Sequence, residues 1–154
     1  MSPRVIDGID ELRALVGQEA GVSGWLEVSQ ASIDAFSELT GDRQWIHVDP
    51  ARAKAESPYG TTIAHGFLTL SLVSQLHAQA VQIRGHHTRA INYGFNRVRF
   101  PAAVPVRARI RLHSTLEAID EIDGGVQLTW GVSIEIEGQA KPAVAAQWLV
   151  RLYR

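Results

Sequence analysis

The stretch that decides the fold is Ile63–Val81, IAHGFLTLSLVSQLHAQAV. Phe67, Leu68, Leu70, Leu72, Val73, Leu76, Ala78 and Ala80 are spread around most of a helical circumference, which predicts a helix from about Ala64 to Val81. A helix apolar on nearly every side belongs inside a structure rather than on its surface. His65, Gln75, His77 and Gln79 interrupt the run and make it too polar to cross a bilayer.

Beyond this run the hydrophobic period falls to two. Val106, Ala108, Ile110 and Leu112 alternate with Arg107, Arg109, Arg111 and His113. Val126, Leu128, Trp130, Val132, Ile134 and Ile136 alternate in the same way, as do Val144, Ala146, Trp148, Val150 and Leu152. These segments read as half-buried antiparallel strands, with Asp123-Gly124-Gly125 turning between two of them. Ala90 to Phe100 predicts a further strand, bulged near Gly94 and ended by Pro101. The sum is an α+β arrangement, one long central helix wrapped by a curled antiparallel β-sheet.

Working back toward the start, Ile9 to Val16 reads as a short helix with Leu12, Leu15 and Val16 on one face. Trp25 to Val28 reads as a brief strand. Ser29 then stands where an N-cap belongs, and Ile33, Phe36 and Leu39 recur at helical spacing. Gly41 is suited to end that helix in a left-handed conformation. Asp49-Pro50 predicts a second short helix, with Asp49 as cap and Pro50 as first residue. Ser57-Pro58-Tyr59-Gly60 is turn chemistry.

Composition bounds the function classes. The chain has 154 residues, 45% hydrophobic and 20% charged, which fits one domain over residues 1–154. A net charge of −1 offers no strong field for nucleic acid or an anionic membrane. There is no cysteine, hence no disulfide framework and no thiolate metal site. Met1-Ser2-Pro3-Arg4 lacks the apolar segment of a secretory signal, so a cytoplasmic location is expected. A sheet curled round a single helix leaves edges unpaired, and a second copy of the chain would cover them.

The chemistry concentrates in Thr40-Gly41-Asp42-Arg43-Gln44-Trp45-Ile46-His47, which sets a carboxylate and an imidazole five positions apart in a loop after a helix. Asp after a helix-ending Gly is often only a turn residue. The functional reading is a general acid/base pair, with Trp45 and Ile46 keeping water away. In Gly60-Thr61-Thr62-Ile63-Ala64-His65-Gly66-Phe67, the threonines read as the N-cap of the central helix. Gly66, without a side chain, would let a carbonyl approach the N–H groups of its first turn. The two segments together point to proton transfer beside a carbonyl.

Other polar residues read as structural. His65, next to Gly66, competes for a catalytic role, but a buried, hydrogen-bonded histidine is the favoured reading. His86-His87 are taken as loop residues, and no zinc-ligand spacing such as H-E-x-x-H is present, so no metal is expected. Arg107, Arg109 and Arg111 line one strand face, where the hairpin predicts ion pairs of Arg111 with Glu135 and Arg109 with Glu137. Those three arginines could instead meet phosphates, and Arg97 and Arg99 are alternative phosphate partners on similarly slight grounds.

Taken together, Thr40-Gly41-Asp42 through His47-Val48-Asp49 resembles the hydratase-2 motif of MaoC-like dehydratases and (R)-specific enoyl-CoA hydratases. Gly60 through Ser74 resembles that family's central-helix motif, and Asn92 through Pro101 with Val104-Pro105-Val106 resembles its next strand. The likeness runs in order from about Trp25 onward. It implies a hot dog fold, usually dimeric, and reversible hydration of a trans-2-enoyl-CoA to a (R)-3-hydroxyacyl-CoA. A dehydratase of 3-hydroxyacyl groups on acyl carrier protein and a non-catalytic acyl-thioester binding subunit are the alternatives. By the resemblance, Asp42 and His47 are the catalytic pair, Gly66 faces the thioester oxygen and Ser74 supports the site. Coenzyme A enters only as part of the substrate, with no other cofactor. Gln44 and Trp45 stand where the family motif has Asn and Pro, as in its nodulation-protein-N-like branch, which implies a reshaped acyl pocket.

Overall fold

The computed structural model describes residues 2–85 and 87–154. In chain order these form β1 (Arg4–Asp7), α1 (Gly8–Ala14), β2 (Gln18–Val22), β3 (Leu26–Glu27), α2 (Gln30–Thr40), α3 (Trp45–Val48) and α4 (Pro50–Glu56). The second half forms α5 (Gly66–Ser71), α6 (Val73–Ala80), β4 (Val81–Arg84), β5 (Arg89–Arg99), β6 (Arg109–Ile122), β7 (Gly125–Ile136) and β8 (Val144–Tyr153).

One antiparallel sheet runs in the order β2-β6-β7-β8-β5, with β3 also paired to β6. Period-two patterning explains its long strands. Ile110, Leu112, Leu116, Leu128, Trp130, Ile134, Ile136 and Val144 all turn inward and are buried. They meet Leu68, Val73, Leu76 and Ala80 of α5 and α6 in one core. This is the expected helix in a curled sheet, the hot dog fold. The β6–β7 hairpin closes at Ile122↔Gly125, with Gly124 at φ 74, where L side chains are strained. The bulge expected in β5 lies between Asn92 and Gly94.

Local signals are largely realised. The Ser29 side chain accepts from the Ser32 N–H, Gly41 ends α2 at φ 78, and Asp49 caps α4 ahead of Pro50. Both expected ion pairs form, Arg111 Nε with Glu135 at 2.6 Å and Arg109 with Glu137 at 3.1 Å.

The central helix departs from expectation in two ways. It is divided at Leu72, whose N–H is shared between the carbonyls of Leu68 and Thr69, and it gives way to β4 at Val81. That shared bond tightens one turn and separates α5 from α6. Nor is it enclosed on all sides, since the sheet covers one face and leaves Phe67 68% exposed. Leu39, expected on the inner face of α2, is 84% exposed, and Val16 is exposed as well. The threonines do not cap α5. Its N-cap is His65, which makes no side-chain cap, and Thr62 turns instead to Gln30. The pairing of β1 with β4, parallel from Arg4↔Val81 to Asp7↔Arg84, had no sequence signal. His87 is in a loop, as expected, and His86 lies outside the described residues. Among the described residues no helix is long and apolar enough to cross a membrane.

Candidate active site

Asp42 follows the left-handed Gly41 in an exposed loop, while His47 sits on the one-turn helix α3 and is 8% exposed. His47 was expected in a loop, but a four-residue helix carries too few positions to show a period. The two side chains converge. With His65 they form a group in which a carboxylate oxygen and one nitrogen of each ring lie within 4.8 Å of one another.

Each member is held from behind. Nδ1 of His47 lies 2.7 Å from the carbonyl of Ile63. A carbonyl only accepts, so this nitrogen carries the proton and Nε2 keeps its lone pair. Burial pushes the His47 pKa below 6.5; the Ile63 bond opposes that, the neighbouring His65 adds to it, and Asp42 opposes it. The backbone carbonyl of Asp42 accepts from Ser37 Oγ at 2.7 Å and from His65 Nε2 at 3.0 Å. Among the described residues the Asp42 carboxylate has only a long 3.5 Å contact from the Gln44 N–H, which leaves its oxygens open to the site.

His65 is buried and hydrogen-bonded as expected, but it also belongs to this group. Its ring stacks on that of His47 with centroids 3.8 Å apart and planes 27° from parallel. Its chain neighbour Gly66 opens α5, where the first N–H groups have no partner within the helix. A Cβ at Gly66 would meet the Phe100 ring at 3.1 Å, so glycine is what lets that ring lie against the backbone. Ser74 is not brought into the group. It lies about 12 Å along the helical path at 1.5 Å per residue, is exposed, and accepts a long 3.4 Å contact from Asn92.

Gln30 has no counterpart in the sequence reading. Its Nε2 donates to the His47 carbonyl at 2.8 Å, and its Oε1 accepts from the buried Thr62 hydroxyl at 2.5 Å. A polar first residue of a helix is too common to have drawn notice. Trp45 is half-buried, with the Arg52 guanidinium 4.5 Å above its ring.

Known proteins share this framework. The MaoC like domain family matches residues 11–136. The chain is 46% identical over 149 residues to 3-hydroxyacyl-thioester dehydratase Z of Mycobacterium tuberculosis, covering 96% of this chain and 97% of that protein. It is 43% identical over 144 residues to nodulation protein N of Rhizobium meliloti, covering 92% and 88%. Among solved structures, the (R)-hydratase from A. caviae involved in PHA biosynthesis superposes with a TM-score of 0.69 at 27% identity, covering 89% of this chain and 96% of that one. A stacked imidazole pair beside a carboxylate, on a hot dog scaffold shared over nearly the full length with such proteins, makes this chain a member of the MaoC-like dehydratase family of hydro-lyases.

Proposed function

We propose that the protein catalyses the reversible addition of water to a trans-2-enoyl-CoA, giving a (R)-3-hydroxyacyl-CoA, with Asp42 and His47 as the acid/base pair. The observation that carries this reading is the convergence of the Asp42 carboxylate and the His47 ring within 4.8 Å, with His47 Nδ1 held by the Ile63 carbonyl so that the ring keeps a free lone pair on Nε2. Water held by the two groups loses one proton as its oxygen bonds to C3. The pair returns one proton to C2, so both residues end in their starting state. Negative charge that develops on the thioester oxygen in between is met by the Gly66 N–H at the start of α5. No redox group or metal takes part.

Loss of crotonyl-CoA absorbance tests the proposal directly. Asp42→Ala and His47→Ala should each reduce turnover by about a hundredfold or more, with circular dichroism used to check that each variant is folded. Wild-type rates in either variant would refute it. Parallel assays with the acyl carrier protein thioester identify the preferred carrier.

The same reading includes a homodimer. Strand β5 is an end strand of its sheet and carries the exposed apolar side chains Ile91 and Tyr93, while Phe67 and Phe100, also exposed, meet each other next to Gly66. A second copy seated there would bury them and wall the acyl site. Light scattering behind gel filtration should give twice the chain mass of 16.9 kDa, and a monomer retaining full activity would reject the pairing.

A further inference from the structure

We propose that His65 is a positioning residue, which fixes the Asp42 backbone and the His47 ring against each other so that carboxylate and imidazole meet. The inference rests on the acid/base reading of Asp42 and His47 given above. Asp42 and His47 are each anchored separately, by Ser37 and by Ile63 and Gln30, and those anchors do not tie the two residues to each other. Asp42 belongs to an exposed loop, and a helix of one turn such as α3 is unstable in isolation. Among the described residues His65 touches both. Its Nε2–H donates to the Asp42 carbonyl at 3.0 Å, and its ring face lies 3.8 Å from that of His47.

Packing alone does not account for a histidine here. His65 is 3% exposed and packs against Phe36 at 5.1 Å between ring centroids. With Nε2 spent on a carbonyl that only accepts, Nδ1 is left buried without a hydrogen-bond partner. Phenylalanine would fill a similar space with no unpaired polar atom. What it lacks is the bond to Asp42. The second imidazole also opposes a positive charge on His47, after burial, and so helps to keep that ring a base.

Two substitutions separate the two contacts. His65→Phe keeps an aromatic ring against His47 and removes the donor. His65→Gln carries an N–H to about the place of Nε2 and removes the stack. With crotonyl-CoA, His65→Phe should lower kcat by about 10- to 100-fold with KM within about threefold, the signature of lost alignment rather than lost binding. His65→Gln should recover part of that loss. In both, the acid limb of the kcat/KM profile should move to higher pH. Wild-type kcat with an unmoved acid limb in either variant overturns the proposal. Nitrogen-15 spectra of the unsubstituted protein give a readout that needs no variant to fold. Neutral His65 should be protonated on Nε2 and His47 on Nδ1, and the opposite tautomer at His65 overturns the proposal even if both variants unfold. If Asp42→Ala and His47→Ala abolish turnover while the His65 variants do not, the positioning role alone fails. If those two alanine variants stay active, the acid/base reading fails instead, and the tautomers still report on the clamp.

Discussion

At the scale of single residues, the His47 environment sets a pH dependence with a definite sign. Burial lowers its pKa from 6.5, so the neutral base persists below that value. Hydration should therefore hold steady as pH falls from neutrality and decline only through an apparent pKa under 6.5, read from kcat/KM against pH. His47→Gln should remove that acid limb along with most of the rate. Asp42, His47 and Gly66 could be singled out as candidates in the sequence because their signals are local: a helix-ending glycine, a spacing of five, a missing side chain before an apolar run. For His65 the sequence offered a catalytic role beside the favoured buried one, but not its contact with Asp42. Its bond to Asp42 spans 23 positions, and no short-range period encodes such a contact.

At the scale of elements, the junction of α2 with α3 rests on Gln30. Its amide joins the start of α2 to the His47 carbonyl and to the Thr62 hydroxyl, two groups with little access to water. Gln30→Ala should cost about 1–3 kcal/mol, the usual loss when buried partners go unsatisfied, seen as a lower urea midpoint. Because α3 carries His47, turnover should fall as well. The Ser29 and Asp49 caps, the hairpin and the cross-strand ion pairs were anticipated, since a few adjacent or directly opposed residues determine each. The break at Leu72 was not, for no glycine or proline marks it and every residue there is compatible with a helix. Strands β1 and β2 also escaped notice. They are short, and their identity lies in distant partners, β4 and β6.

At the scale of the whole molecule, the core contains an acid-labile group. His77 is buried on α6 between Trp130 and Trp148, with ring centroids 4.6 and 5.1 Å away, and its Nδ1 lies 3.1 Å from Ser114 Oγ. Burial lowers its pKa to about 4. The unfolded chain binds this proton near 6.5, well before the folded one does. Stability is thus complete above that value and is lost as pH falls toward 4, by about 2 kcal/mol at roughly pH 5. His47, lowered in the same direction, adds to the slope. Urea unfolding at the two ends of this range should show the difference, and His77→Gln, which keeps a partner for Ser114 without titrating, should flatten most of it. The pairing of the first strand with the middle of the chain has a separate consequence during synthesis. Arg4–Asp7 leaves the ribosome long before Val81–Arg84, and β2 waits longer still for β6. The nascent amino-terminal half cannot settle early, so the polypeptide folds late and as a unit, at the slower rates of topologies dominated by distant contacts.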